Sequence, residues 1–333
     1  MRKRRTLPLV VVQIPCLNEE ATLPETLADI PRQIDGVGRV HILVIDDGST
    51  DRTADVALAS GADEVISFAA NRGLGRALQA GFNAALRAGA DVVVNTDGDN
   101  QYYGGDIPAL LEPIIEGRAD IVIGDRGTDS VADFSPTKRR LQKRGSQIIS
   151  RLAGIDVPDV ASGFRAYTRE AILSLSLQTE FDHTAEHVIQ AGHNKLAVVP
   201  VPIRTNPKTR ESRLFGSADE FVARSAFISL RTWSRYRALA IFSSAAAAVF
   251  AVGVLLGLRF LYYLLIVGEG DLHIQSVVLS AVFMLAGVQL FLTGVVADLI
   301  ATNRQLLEES MRRIKENQAE SDSGAHDERG GIR

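Results

Sequence analysis

Two long uncharged stretches in the C-terminal third limit the fold of this chain most strongly. Residues 239–258 contain no charged side chain, and after Arg259 the apolar run continues to residue 267. Residues 272–297 form a second uncharged stretch. At about 1.5 Å of rise per residue, about 20 such residues cross the roughly 30 Å hydrocarbon core of a bilayer. The sequence therefore predicts two transmembrane helices, at about 239–267 and 272–298, rather than two buried helices of a soluble domain.

The loop between these stretches predicts their orientation. Residues 268–271, Gly-Glu-Gly-Asp, carry no Lys or Arg, whereas basic residues stand on the outer side of both stretches. Because Lys and Arg concentrate on the cytoplasmic side of membrane proteins, we expect a multi-pass protein of the cell membrane with both termini in the cytoplasm. The apolar run after the basic start is short and interrupted by prolines, so it does not resemble a signal peptide.

The N-terminal two thirds alternate between apolar runs and helical spacing. Predicted strands cover residues 9–14, 40–45, 64–68, 90–94 and 120–123, and predicted helices cover residues 21–34, 52–60, 76–88 and 107–116. This alternation predicts an α/β domain with a mostly parallel sheet and helices on both faces. Cys16 is the only cysteine, which agrees with a reducing compartment, and a net charge of −4 gives no general attraction to nucleic acid.

Four polar motifs follow four of the predicted strands. They are residues 15–20 (Pro-Cys-Leu-Asn-Glu-Glu), 46–51 (Asp-Asp-Gly-Ser-Thr-Asp), 71–75 (Asn-Arg-Gly-Leu-Gly) and 95–101 (Asn-Thr-Asp-Gly-Asp-Asn-Gln). Ligands of open α/β sheets bind beyond the carboxyl ends of the strands. One such loop can be an ordinary turn, but four at the same edge of a sheet favour a nucleotide-sized site.

The fourth motif suits a divalent cation. Asp97 and Asp99 point the same way because side chains alternate along a strand, and Gly98 allows the backbone to turn sharply between them. Two carboxylates suit Mg²⁺ or Mn²⁺, which take their other ligands from phosphates and water. A solvated Asp-Gly turn is the alternative interpretation. In the second motif, Ser49 and Asp51 can cap the next helix while other residues bind a base or ribose.

Two common nucleotide-binding motifs are absent. Gly73 and Gly75 suggest a phosphate loop, but position 78 is Leu, so the dinucleotide-binding pattern of three glycines fails. A P-loop with its lysine is also missing from the sequence. These absences argue against a dehydrogenase and against a P-loop NTPase.

The four motifs together resemble family 2 glycosyltransferases with the GT-A fold. More narrowly, the chain resembles polyprenyl-phosphate sugar transferases of the dolichyl-phosphate mannose synthase type. The resemblance covers about residues 9–215 and continues through residues 124–126 (Gly-Asp-Arg), 138–144, 162–165 (Ser-Gly-Phe-Arg) and 210–214 (Arg-Glu-Ser-Arg-Leu). The chain departs from the pattern at Cys16, where an aromatic or hydroxyl residue is common, and at Gly98, where Ala is common.

The resemblance implies a role for each group of matching residues. The expected catalytic residues are Asp97, Asp99 and Arg126, and the expected metal ligands are Asp97, Asp99 and Gln101. The expected nucleotide site consists of Pro15, Leu17, Asn18, Glu19, Asp46, Asp47, Ser49, Asn71, Gly75 and Asp97. The expected acceptor-phosphate ligands are Arg126, Arg139, Arg144, Arg210 and Arg213, and the sugar or acceptor side is expected to contain Ser162, Arg165, Asp182 and Glu186.

These assignments predict a metal-dependent, inverting transfer of one sugar from a GDP- or UDP-linked donor to polyprenyl or dolichyl phosphate. A phosphate monoester is largely dianionic at pH 7, so it needs arginine anchors more than a general base. Two alternatives keep the same fold. The basic residues can instead face anionic lipid headgroups, and the acceptor can be a hydroxyl group of a glycolipid or cell-wall glycan.

Two other functions are also weighed. His183, Glu186 and His187 match the H-x-x-E-H pattern of zinc peptidases, but no third ligand is evident in the sequence. A non-catalytic lipid-binding protein is the remaining alternative. The predicted organisation is a GT-A catalytic domain at 1–215, an interfacial helix at 216–237, two transmembrane helices within 238–301 and a largely disordered cytoplasmic tail at 302–333. The family resemblance also suggests a homo-oligomer packed through the hairpins.

Overall fold

A computed structural model describes residues 8–127, 136–175, 183–207, 238–268 and 274–330 of the chain. The chain divides into two compact units. The first comprises Met1–Ser229 with Met311–Arg333, and the second is Leu230–Ser310. The predicted interfacial helix at 216–237 lies outside the described residues.

The first unit is built on a seven-stranded sheet in the order β3-β2-β1-β4-β6-β5-β7. The strands are β1 (Leu9–Cys16), β2 (Arg39–Asp46), β3 (Glu64–Ser67), β4 (Val92–Asn95), β5 (Ile121–Asp125), β6 (Arg165–Thr168) and β7 (Val198–Pro202). Strands β1 to β4 pair in parallel, as the sequence predicts. The predicted strands lie within a few residues of the observed ones.

Strand β6 gives the sheet its mixed character. It lies between β4 and β5 and runs antiparallel to both, while β7 pairs in parallel with β5. The sequence analysis did not predict β6 or β7. Strand β6 is only four residues long and begins with Arg165. Strand β7 contains Pro200 and Pro202, and proline is tolerated in a strand only at the edge of a sheet. Strand β6 therefore lacks the apolar run that identified the other strands, and in the apolar run that contains β7 the two prolines argue against a strand.

Helices cover both faces of the sheet. They are α1 (Leu23–Ala28), α2 (Thr53–Ala59), α3 (Leu74–Arg87), α4 (Ile107–Ile115), α5 (Pro136–Ala153), α6 (Arg169–Ser174) and α7 (His183–His193), with a 3₁₀ turn at Gly104–Asp106. Helices α1 and α4 share a core with the even-numbered residues of β1 and β2. Helix α3 packs on the opposite face, where Gly81 leaves room for Gln13 and Ile45. Helix α1 is shorter than the predicted helix at 21–34.

The second unit contains the apolar helix α8 (Ala238–Tyr262), a π-helical segment at Tyr263–Val267 after it, and the apolar first part of α9 (Ile274–Gly330). Helix α9 passes out of this unit after Ser310. Residues Leu239–Val267 and Ile274–Asn303 are candidate membrane spans by length and composition. Only 11% and 17% of their most apolar windows are buried, so they are not core helices of a soluble domain. In the region predicted to be a disordered tail, the structure instead continues helix α9 to Gly330.

Small residues bring α8 and α9 into close contact. A Cβ atom added at Gly253 would lie 2.8 Å from Met284 Cγ, and the Ser280 hydroxyl donates a 2.7 Å hydrogen bond to Gly253 O. Glycine contacts and interhelical hydrogen bonds of this kind stabilise helix pairs in membranes, where hydrophobic association is absent. The packing of the hairpin therefore suits a lipid environment.

Candidate active site

The first two polar motifs form one interlocked edge of the sheet. The Asn18 amide N donates to Ser49 Oγ at 2.9 Å, and the Thr50 amide N donates to Asn18 Oδ1 at 2.8 Å. The Glu19 amide N donates to Thr53 Oγ1 at 2.9 Å. These bonds join residues more than thirty positions apart and hold the two loops side by side. The sequence analysis predicted this proximity from the parallel strands.

The third motif joins this edge through Asp47. Its two carboxylate oxygens accept hydrogen bonds from the amides of Arg72 and Gly73, at 2.7 and 2.9 Å. Gly48 has a φ of 74°, and a Cβ there would lie 2.3 Å from Ala70 C, so only glycine fits between the loops. Asp47 thus holds the loop that begins α3.

In the second motif, Asp51 bonds to the start of α2. Its Oδ1 accepts from the Thr53 amide at 3.0 Å, although the N-cap position is Arg52, whose side chain makes no capping bond. Ser49 does not cap this helix, because its hydroxyl accepts from Asn18 instead. Asp46 Oδ1 accepts from the Ser49 amide at 3.0 Å. Its carboxylate is largely buried where β2 ends.

The acidic pair, Asp97 and Asp99, lies just after the end of β4, and both residues are half-buried. The pKa of Asp97 is raised to about 7, first by burial and then by the charge of Asp99, while Arg126 lowers it and the charge of Glu19 raises it. The positive charge that the protein supplies therefore does not balance the negative charge of the acidic pair. Among the described residues, no group of three or more His, Cys, Asp or Glu side chains could enclose a metal. Two carboxylates fit a hard cation that takes its remaining ligands from phosphates and water.

Hydrogen bonds fix the backbone around the acidic pair. The hydroxyls of Thr22 and Thr26 lie 2.9 and 3.3 Å from Gly98 O. The Gln101 amide donates to Asp99 Oδ1 at 3.1 Å, and Gln101 O accepts from the Asn206 amide at 3.0 Å. The loop is thus held on one side by the start of α1 and on the other by the segment after β7.

The two departures from the family pattern, at positions 16 and 98, contact each other. A Cβ added at Gly98 would lie 2.7 Å from Cys16 Sγ and 3.4 Å from Glu19 Cγ. Burial raises the pKa of the Cys16 thiol, and the carboxylates of Glu19, Asp46, Asp97 and Asp99 raise it further, so Cys16 stays protonated. The thiol fills the space that an alanine at position 98 would need.

We therefore predict that Gly98→Ala lowers the catalytic rate about tenfold and destabilises the protein by about 1–3 kcal/mol. Both losses are expected because the added methyl group displaces Asp97 and Asp99. Cys16→Ala in the same chain removes the clash and should restore most of both losses. Initial rates and thermal unfolding of the two single variants and the double variant measure this coupling. Additive losses in the double variant would contradict the prediction.

Arg126 forms a bidentate ion pair with Asp159. Arg126 Nε lies 2.6 Å from Asp159 Oδ2, and Nη2 lies 2.8 Å from Oδ1. The side chains are 9% and 0% exposed. Since Arg126 also acts electrostatically on Asp97, its guanidinium lies close to the acidic pair. Sequence reasoning missed Asp159, because nothing in the sequence links it to an arginine 33 positions earlier.

Three residues predicted for the sugar or acceptor side are buried, namely Ser162, Arg165 and Glu186. Arg165 is fully buried and donates to the carbonyls of Ser162, Thr184 and Val160, at 2.8, 3.1 and 2.6 Å. These bonds hold the loop before β6. Glu186 is also fully buried, within α7.

The zinc-peptidase alternative does not fit the structure. His187 is 1% exposed, and its Nδ1 lies 3.0 Å from the hydroxyl of Tyr167, which is itself buried. The imidazole also packs near Phe82, with ring centroids 6.2 Å apart. His187 is therefore a residue of the core, and its environment is aromatic and closed.

The remaining predicted site residues differ in position. Leu17 and Asn18 are half-buried, Asn71 is exposed, and Arg144 is exposed on α5. The buried ones are Pro15, Glu19 and Gly75. The side chain of Arg139 and residues Asp182, Arg210 and Arg213 lie outside the described part of the chain.

Comparison with known proteins identifies the family of the chain. The family model "Glycosyl transferase family 2" matches residues 11–175. Glycosyltransferase AglJ from Haloferax volcanii is 32% identical over 318 residues, which cover 92% of this chain and 97% of that protein. The chain therefore belongs to glycosyltransferase family 2, is a glycosyltransferase and has the GT-A fold.

Two further comparisons concern ligands. A dolichyl-phosphate hexose transferase from Haloferax volcanii is 36% identical over 194 residues, which cover 56% of this chain and 79% of that protein. Glucosyl-3-phosphoglycerate synthase from Mycobacterium tuberculosis, crystallised with Mn²⁺, UDP-glucose and phosphoglyceric acid, superposes with a TM-score of 0.54. It is 26% identical, and the match covers 68% of this chain and 79% of that one.

Proposed function

We propose that this glycosyltransferase moves one sugar from a GDP- or UDP-linked donor to polyprenyl phosphate, with inversion and with a divalent cation, at the cytoplasmic face of the membrane. One observation carries the proposal: a GT-A unit with an acidic pair is continuous with two candidate membrane spans. The similarity to a dolichyl-phosphate hexose transferase supports a lipid phosphate as acceptor. The similarity to a structure holding Mn²⁺ and UDP-glucose supports the cation and the donor class.

On the donor side, we assign Asp97, Asp99 and Gln101 to the cation. Bound there, Mg²⁺ or Mn²⁺ would supply Lewis-acid stabilisation of the negative charge on the leaving diphosphate. The interlocked loops at 15–20, 46–51 and 71–75 form the proposed nucleotide site. Of their two consecutive aspartates, Asp46 is the better nucleoside ligand, because both carboxylate oxygens of Asp47 already accept backbone hydrogen bonds.

On the acceptor side, the protein has to hold an anion in line with the sugar. A phosphate monoester is largely dianionic at pH 7 and attacks without transferring a proton to the protein. Arg126 lies close to the acidic pair, and Arg144 is exposed on α5. We assign the acceptor phosphate to these two and to Arg139, Arg210 and Arg213. No carboxylate outside the metal site is needed as a general base.

The membrane part of the proposal rests on the distribution of charge. The loop 268–271 lacks Lys and Arg, whereas both outer flanks of the hairpin are basic. This distribution supports our proposal that the catalytic unit and both termini lie in the cytoplasm. We further propose that the segment 216–237 lies in the interface near lipid headgroups, and that copies of the chain associate through their hairpins.

The proposal is tested with membranes that contain the full chain and a panel of GDP- and UDP-sugars. Polyprenyl phosphate and the matching polyprenol are offered as acceptors, with Mg²⁺, with Mn²⁺ and with EDTA, and lipid products are identified by mass spectrometry. We expect a single sugar on the phosphorylated lipid, formed only with a divalent cation. Transfer to a polyprenol or glycolipid hydroxyl would support the alternative acceptor class, and product formation in EDTA would contradict the metal site.

A further inference from the structure

Two amide side chains lie buried in the centre of the sheet. Gln13 of β1 is 0% exposed, and Asn95 of β4 is 2% exposed. Gln13 Nε2 donates to Asn95 Oδ1 at 3.2 Å, between strands that pair in parallel with these residues in register. Burying amides in a sheet costs free energy unless their hydrogen bonds are used. The buried pair of Gln13 and Asn95 therefore indicates a role other than packing in the core.

Two buried side chains, Asn95 and Tyr102, form hydrogen bonds with the backbone of Gly163. Asn95 Nδ2 donates to Gly163 O at 2.9 Å, and the Gly163 amide N donates to the Tyr102 hydroxyl at 2.9 Å. Tyr102 is itself buried and stacks on Phe164, with ring centroids 5.3 Å apart. Two buried side chains thus hold the donor and the acceptor of the same peptide segment.

Gly163 in turn borders the acidic pair. A Cβ added there would lie 3.3 Å from both carboxylate oxygens of Asp97, so the backbone at this point forms a wall against that carboxylate. Any shift of Gly163 changes the space in which the Asp97 carboxylate can rotate. The orientation of a carboxylate determines whether its oxygens point toward a cation.

We propose that Asn95 and Tyr102 are positioning residues that orient the Asp97 carboxylate by fixing the backbone of Gly163. The proposal rests on the proposed function only in that Asp97 binds a divalent cation. Partners in the outer shell of a metal site typically change metal affinity by about 10–100-fold when they are removed. Asn95 and Tyr102 act here through a backbone segment, without contacting the cation.

The test compares two tyrosine variants of the full chain in lipid nanodiscs. Tyr102→Phe removes the acceptor for the Gly163 amide but keeps the ring. Tyr167→Phe is the matched control, because it also removes a buried hydroxyl, which is bonded to His187 and Arg165 and not to the backbone of Gly163. Mn²⁺ binding is measured by electron paramagnetic resonance, and thermal unfolding is measured in parallel. We expect Tyr102→Phe to weaken Mn²⁺ binding about tenfold, while Tyr167→Phe binds Mn²⁺ as the wild type does.

A second variant and the kinetics complete the test. Asn95→Ser shortens the other side chain that holds Gly163 and should also weaken Mn²⁺ binding. In both variants the KM for the nucleotide sugar should rise, while the KM for polyprenyl phosphate stays unchanged. Equal Mn²⁺ affinity in wild type and Tyr102→Phe, or an equal loss in both tyrosine variants, would overturn the positioning role alone. If the wild type binds no Mn²⁺, the metal site of the proposed function fails, and this proposal fails with it.

Discussion

Replacing Asp97 by asparagine is expected to abolish sugar transfer and also to make the cation-free protein more resistant to heat. Transfer should fall at least about 100-fold, because the variant loses one of two charged ligands for the cation that stabilises the leaving group. The gain in stability follows from the pKa of Asp97, which burial and the charge of Asp99 together raise from 3.8 to about 7 against the opposing charge of Arg126. A neutral amide avoids this unfavourable charge.

The pH dependence of this gain has a definite sign. Between pH 3.8 and about 7 the folded state keeps a proton on Asp97 that the unfolded chain has released. The stability of the cation-free wild type contributed by this group therefore falls as pH rises through that range. The asparagine variant lacks this loss, so its advantage in melting temperature should be largest at pH 7 and above and should vanish near pH 4.

Asp47→Asn provides the matched control, since it makes the same substitution at the same edge of the sheet. Both oxygens of Asp47 accept backbone hydrogen bonds, and an amide nitrogen cannot accept one, so we expect a loss of about 1–3 kcal/mol. Calorimetry from pH 4 to 8, with and without Mn²⁺, measures both variants. Mn²⁺ should stabilise the wild type but not Asp97→Asn. Equal destabilisation by the two substitutions would contradict our account of Asp97.

The sequence predicts the parallel half of the sheet well, because its strands are continuous apolar runs. The observed β1, β2 and β4 are almost entirely buried, so their sequences are apolar throughout and lack the alternation of a half-exposed strand. Strand β6 escapes prediction because its neighbours, not its own composition, determine that it is a strand. Arg165 reads as a surface or ligand residue, yet three carbonyl acceptors allow it to be fully buried.

The parts of the candidate site that depend on spacing within one motif can be predicted from the sequence. Contacts between residues that are distant in the sequence cannot. Asp97 and Asp99 follow a buried strand, so their position at the carboxyl edge could be inferred directly. The contact between Cys16 and Gly98 could not, although both had been noted as departures from the family pattern. Gln13 and Asn95 did leave a signal, because buried strands rarely carry amides. That signal indicates a polar network but not which residue the network holds.

The pair of Arg126 and Asp159 combines a structural role with a proposed catalytic one, and the two can be separated. Asp159→Leu should destabilise the protein by about 3–5 kcal/mol, because it leaves the nearly buried Arg126 without a compensating charge. Arg126→Met should cost a similar amount by leaving Asp159 alone. Combining the two removes both charges, so the double variant should regain most of the stability of the wild type.

Activity should not follow stability in this series. If the Arg126 guanidinium contacts the reacting phosphates, the double variant remains folded but transfers sugar at least about 100-fold more slowly. Arg204→Met is the control, because Arg204 also pairs with an aspartate, Asp106, but its side chain is 68% exposed. Its loss should cost less than the loss of Arg126, because the Arg204 side chain is largely solvated and Asp106 keeps the hydrogen bond from the Arg204 amide. Chemical denaturation and initial rates on the same preparations measure both quantities. A double variant with wild-type rates would show that Arg126 serves only to neutralise Asp159, and the acceptor phosphate would then depend on the other arginines.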